Sequence, residues 1–277
     1  MTQRTIHTTI NATPTSDGDG VKISRSIGSQ FLPQLDPFLL LDELGSDDAA
    51  DYIDGFPPHP HRGFETVTYI LEGQMRHKDS AGNEGVIRAG GIQWMTAGSG
   101  IIHSEMPEQS EGMLWGFQLW INLPGAQKMR APRYQEIASA NIPEVSGDFG
   151  TVRVMAGDVD GTIGAVSEIA TQPTLLDLRL NANGEKTIEL PTEHAGFVYI
   201  YNGSLTVAGK TLHTQQLGQL SAGEAVTVTA GEKGAGALLI AAAPLNEPIA
   251  RMGPFVMNTE AQLQQAYSDY RRGELVQ

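Results

Sequence analysis

Short apolar runs separated by glycine-rich turns dominate this chain, and their period is that of strands rather than helices. From Phe64, FETVTYILEG is a β-branched and aromatic run that stops at Gly73 and predicts a strand. SAGNEG (80–85) predicts a turn, and VIRAGGIQWMTAGSG predicts short strands broken by glycine corners. LWGFQLWINLP predicts another strand, with Trp115, Phe117, Leu119 and Ile121 on one face. Upstream, LDPFLLLDEL reads as buried, GSDDAADYIDG as an acidic loop, and the polar first twenty residues as an edge. After Pro124 the pattern fades, so GAQKMRAPRYQEIASANIPEVSGDFG predicts an irregular connector. Strands resume in TVRVMAG, GAVSEIA, TLLDLRL, TIELP, GFVYIYNG, SLTVAG, AVTVTAG and ALLIAAAP.

Only NTEAQLQQAYSDYRRGEL changes period. Leu263, Ala266, Tyr267 and Tyr270 form one helical stripe, Thr259 with Gln262 fits a capping box, and Arg271, Arg272 and Gly273 fit a C-terminus. The strand pattern also repeats. TVTYILEG matches GFVYIYNG, and RAGGIQWMTAG matches SAGEAVTVTAG, which predicts two copies of one β-unit. Aligning the copies sets His103 opposite Gly236 and Glu105 opposite Leu238, so the second unit lacks equivalent ligands and is expected to hold no metal. The expected division is residues 1–130 and 131–277.

Composition narrows the functional classes. A net charge of -14 disfavours non-specific nucleic-acid binding. With no cysteine, disulfides and thiolate metal sites are impossible. No leader-like apolar segment or spanning run is visible, so the expected location is the cytoplasm.

The candidate chemistry lies in two pairs, His59 and His61 in GFPPHPHRGFE, and His103 and Glu105 in GSGIIHSEMP. On a strand, residues two apart face the same way, so two neighbouring strands would aim three imidazoles and a carboxylate at one point. That donor set leaves open positions on Fe(II), Mn(II), Ni(II) or Zn(II), and each histidine should donate its other ring N–H to an acceptor. Pro58 and Pro60 lack backbone donors, which predicts a strand start or edge for the first pair. Glu65 reads as a ligand's neighbour or a strand-end charge. His77 reads as a solvated loop residue, and His194 and His213 as structural or surface residues. Phe56, Met75, Trp94, Met95 and Gln118 are candidates to line a pocket over the metal, barrel-core packing being the alternative for each.

GFPPHPHRGFETVTYILEG, QWMTAGSGIIHSEMP and GPFVMNTEAQL resemble the pirins of the cupin superfamily, as do LDPFLLLDEL, SRSIG and NEPIARMGPFVMNTE. The resemblance spans nearly the whole chain. It implies an all-β bicupin: two tandem jelly-roll-like barrels, with the metal in the N-terminal one. It implies His59, His61, His103 and Glu105 as metal ligands, with Glu65 at a general cupin ligand position that pirins do not use. It further implies Fe(II) and a quercetin 2,3-dioxygenase-like activity, in which a flavonol ring is opened by O2 with release of CO. Glu105 is then the candidate base for the 3-hydroxyl proton. The alternative implied role is regulatory: metal-dependent binding of a protein partner, as a transcriptional co-regulator or modulator of a metabolic enzyme. A purely structural metal is the third reading.

Overall fold

The computed structural model describes residues 1–276 of the chain. It is built almost wholly of antiparallel strands, with a single α-helix, Glu260–Arg272, among the described residues. No described helix is long and apolar enough to cross a membrane.

Two compact units share the chain, and they interleave. One comprises 1–13, 29–37 and 140–244; the other comprises 14–28, 38–139 and 245–277. A single break at 130 does not reproduce this exchange. The N-terminal strand Ile6–Asn11 pairs with Gln216–Leu220 at the edge of a nine-stranded sheet, so the polar first residues do form an edge. The C-terminal helix belongs to the unit of residues 38–139, rather than to the one that precedes it in sequence. Its apolar stripe accounts for this: Leu263 and Ala266 are buried in a cluster with Phe255, Met257 and Leu275, and Ile102 of the candidate site region packs against it.

The unit of residues 38–139 has two main sheets, besides the two-stranded pair of Ala250–Met252 with Phe255–Met257. The larger runs Arg133–Ile137, Ile92–Thr96, Phe64–Glu72, Leu114–Asn122, Phe38–Ser46, Val21–Arg25, Thr13–Asp17. The smaller runs Phe56–His61, Ile101–Pro107, Gln74–Asp79, Glu84–Arg88. Ile23, Leu44, Ile70 and Leu114 from the first pack with Met75, Ile87 and Phe56 from the second, which gives a jelly-roll-like interior. The expected strands at 64–72 and 114–122 are present. Part of the expected connector is also a strand: Arg133–Ile137 pairs with Ile92–Thr96. Only half-buried, it lacks the continuous apolar run of a central strand and so reads as irregular.

In the other unit the interior is filled by Val152, Val154, Leu176, Leu178, Val198 and Leu239, among others. GFVYIYNG and SLTVAG fuse into one strand, Ala195–Val207, and AVTVTAG and ALLIAAAP into another, Ala225–Ala242. GAVSEIA is not a strand; only Val166 bridges to Ala156. The equivalence of the two TAG sequences is therefore limited. The first ends a strand and turns, whereas the second lies within one.

Candidate metal centre

The two ligand-bearing segments are neighbours. Phe56–His61 is the edge strand of the smaller sheet and pairs antiparallel with Ile101–Pro107, His59 lying opposite His103. An edge is where a strand carrying Pro57, Pro58 and Pro60 can sit, because the missing N–H groups break no inner ladder. Potential ligand atoms of His59, His61 and His103 all lie within 4.8 Å of one another.

The state of these imidazoles suits a cation. His59 is half-buried and its Nδ1 lies 2.8 Å from the Pro57 carbonyl, which only accepts, so Nδ1 carries the proton and Nε2 a lone pair. That Nε2 is 3.0 Å from Nε2 of His61. Among the described residues, neither ring nitrogen of buried His103 has a hydrogen-bond partner. Burial, reinforced by the neighbouring imidazoles, holds His61 and His103 well below the ordinary histidine range. Neutral rings, with the His59 Nε2 lone pair facing His61, are what a divalent ion requires of its ligands, while the second buried nitrogen of His103 lacks the acceptor expected of a ligand histidine among the described residues.

Glu105 is buried on the same strand but stands outside that cluster of ligand atoms. Its Oε1 is 2.8 Å from Thr68 Oγ1, and its Oε2 accepts from Gln118 Nε2 at 2.9 Å. Thr68 Oγ1 is also 2.6 Å from Gln118 Oε1. The structure thus gathers three imidazoles, with the carboxylate beside them in a polar cradle.

Several side chains fix His61. Its ring lies 5.0 Å from Phe64 and 5.1 Å from Trp120, both edge-on. The next residue, Arg62, is 2% exposed and anchors the strand end. Its Nε donates to the Ser99 carbonyl at 2.5 Å and its Nη1 to Asp269 of the C-terminal helix at 2.7 Å. Gly63 has φ +90, and a Cβ there would lie 2.0 Å from the Val256 carbonyl, so HPHRG ends in glycine for steric reasons. Buried Lys128 donates to the carbonyls of Gly63 and Val256 and to Asn122 Oδ1. Burial pulls its ammonium down to about 8, yet three acceptors need three protons, which only the cation supplies.

A cavity of about 540 Å³ opens over the site, lined by His59, His61 and Glu105 together with Ile23, Leu40, Leu44, Phe56, Gln118, Trp120 and Arg251. Its size is within the range of small-molecule sites, roughly 300–1,000 Å³. Phe56 and Gln118 thus line the cavity. Trp94 is 1% exposed and sits on the other side of the sheet, across from Val67 rather than Thr68. Met75 and Met95 are core residues. Glu65 also lies on that opposite face, where Thr96 donates to it at 2.6 Å and burial pushes its carboxyl up. His77 is not solvated: it is 4% exposed, 2.6 Å from Glu136 and stacked on Tyr134. His194 is buried and His213 exposed, both in the other unit.

Residues 20–121 match the Pirin family, and residues 175–276 match the Pirin C-terminal cupin domain. The chain belongs to the pirin family. A Vibrio cholerae protein named "Putative quercetin 2,3-dioxygenase" is 47% identical over 98% of this chain and 97% of its own. Pirin of Homo sapiens is 41% identical over 94% of this chain and 89% of its own. The crystal structure of a quercetin 2,3-dioxygenase from Acinetobacter baumannii superposes with a TM-score of 0.90 at 33% identity, covering 99% of this chain and 98% of that one. The fold is accordingly that of a pirin, with two cupin domains, and the three-histidine cluster falls in the segment matched by the N-terminal pirin family.

Sequence reasoning missed Thr68, Trp120, Asp42, Arg25 and Arg251. Strand parity carried a signal for Thr68, on the face of Phe64 and Thr66, and for Trp120, two residues from Gln118 on the face opposite Trp115, Phe117, Leu119 and Ile121.

Proposed function

We propose that His59, His61, His103 and Glu105 hold one divalent metal, Fe(II) for oxygenase chemistry, and that the protein opens a flavonol-like substrate with O2, releasing CO. The observation that carries this reading is the three-imidazole cluster, two of whose rings line, with Glu105, a cavity of substrate size. A bound ion of this kind would supply a Lewis-acidic, redox-active centre for a phenol oxygen and O2.

The remaining work falls to the chain. Leu40, Leu44, Ile23, Phe56 and Trp120 exclude water from a flat aromatic substrate. Glu105 accepts the 3-hydroxyl proton, and its surroundings have a place for it. Thr68 has one hydroxyl proton but faces two oxygens, Glu105 Oε1 and Gln118 Oε1. With a proton on Glu105 Oε1, Glu105 donates to Thr68, Thr68 to Gln118 Oε1, and Gln118 Nε2 to Glu105 Oε2. Every contact then has one donor and one acceptor, so the cradle stabilises the base after it has reacted.

The test is to load Fe(II) anaerobically, add quercetin, admit O2, and follow flavonol loss and CO. The expected result is turnover that His59→Ala abolishes. Equal rates in the two proteins would remove the enzymatic reading and leave metal-dependent partner binding as the role to pursue.

A further inference from the structure

The floor of the cavity is a polar row one residue wide. Arg25 is in register with Asp42, Asp42 with Gln118, and Gln118 with Thr68, on four adjacent strands. The flanking rows are less polar. Ile23, Leu44, Gly116 and Ile70 lie on one side, and Leu40 and Trp120 on the other. Two strand steps from Thr68 to Asp42 span about 10 Å. The row therefore starts under the Glu105 cradle and ends at charged groups a two-ring distance away.

Those charged groups have unused hydrogen-bonding capacity. Each Asp42 oxygen accepts one bond from Arg25, at 2.8 and 2.7 Å, leaving a lone pair on each. Asp17 takes another Arg25 donor at 2.6 Å. Arg251 sits with its guanidinium 5.0 Å from the Trp120 ring centroid, its Nη1 donating to the Leu39 carbonyl. The two arginines and two aspartates balance in charge, so the end of the cavity suits a neutral hydroxyl better than an anion or a cation. The guanidinium plane on Trp120 suits an aromatic ring.

We propose that Asp42 and Arg251 are specificity-determining residues that read a hydroxyl on the substrate ring remote from the reacting oxygen. Asp42 accepts its proton and Arg251 donates to its oxygen. This rests on the reading of the cavity as a site for a planar phenolic. It narrows the substrate class to flavonol-like molecules hydroxylated on the far ring. A buried carboxylate left without that hydroxyl discriminates against analogues that lack it.

Kaempferol and galangin differ by one hydroxyl on the pendant ring, and neither carries a catechol there that could chelate the metal. Both are titrated into Fe(II)-loaded protein under nitrogen, in the wild type, Asp42→Asn and Arg251→Gln. The wild type is expected to prefer kaempferol by about tenfold, the scale of one hydrogen bond to a charged group. Each variant should lose most of that preference, weakening kaempferol more than galangin. If Asp42→Asn does not fold, exposed Arg251 decides the matter alone. An unchanged ratio in the folded variants, equal weakening of both ligands, or no binding of either overturns the proposal. Admitting O2 afterwards separates the two claims: preference without turnover sinks only the oxygenase reading, and turnover without preference sinks only this one.

Discussion

Gln118 holds the centre of the site together because its amide meets two partners of opposite demand. Its Nε2 donates to Glu105 and its Oε1 faces the Thr68 hydroxyl, so no apolar residue of the same shape can replace it. Gln118→Leu should leave the fold intact, since the side chain is only half-buried at the cavity wall. It should lower metal affinity or turnover by about 10–100-fold, the usual effect of removing the support of a ligand. Metal titration and steady-state rates on the same preparation check this, and unchanged values in both would mean the cradle is incidental. At this scale the imidazoles were legible, because an i, i+2 pair on a strand leaves little choice of direction. Arg251 was not legible: nothing in NEPIARMGP separates a cavity residue from a solvated one. His77 was misread because Arg76 and Lys78 flank it. On a strand those two neighbours face away from it, and the alternation was the available clue.

At the level of elements, the C-terminal segment acts as a clamp on the ligand strand. The Val256 amide donates to the Arg62 carbonyl, Lys128 ties Gly63 to Val256, and the Arg62 guanidinium reaches Asp269 on the helix. Breaking a buried pair by removing one partner costs roughly 3–5 kcal/mol because the other charge is stranded. Asp269→Ala leaves Arg62, at 3% side-chain exposure, in that position. Asp269 itself is less buried, so a loss of about 2–3 kcal/mol in urea unfolding is expected, with weaker metal retention under a chelator. No change in either would show that the helix merely covers the site. The helix was legible down to its caps: Thr259 and Gln262 form the reciprocal box and Gly273 is left-handed. Its destination was not legible. A two-turn apolar stripe specifies that something is covered, while the choice of unit depends on Phe255 and Met257, which pattern alone assigns to no neighbour.

At the scale of the molecule, the site should make stability depend on pH with a definite sign. Burial holds His61 and His103 well below the histidine value of about 6.5 expected in the unfolded chain. The folded state therefore binds fewer protons there than the unfolded state. The stability these residues contribute is present above about pH 6.5 and is lost as pH falls through that value towards their folded pKa. Asp42 has the opposite sign: burial pushes its carboxyl up to about 6 against the pull of Arg25, so the folded state holds its proton more tightly below that pH. Glu65, raised by burial, acts in the same sense as Asp42. The histidine effect is thus cleanest between about pH 7.5 and about pH 6, above the range where these carboxyls dominate. Metal-free protein should lose stability across that window, as read by urea unfolding at each pH. The double variant His61→Gln/His103→Gln should flatten the slope, because glutamine does not titrate. Metal-loaded wild type should be more stable throughout the window with nearly the same slope, since these nitrogens are already unprotonated in the folded state and a bound ion adds its binding free energy to that state alone. A wild-type slope equal to that of the double variant, with and without metal, would mean that the imidazole cluster is not the buried, neutral donor set on which the oxygenase reading depends.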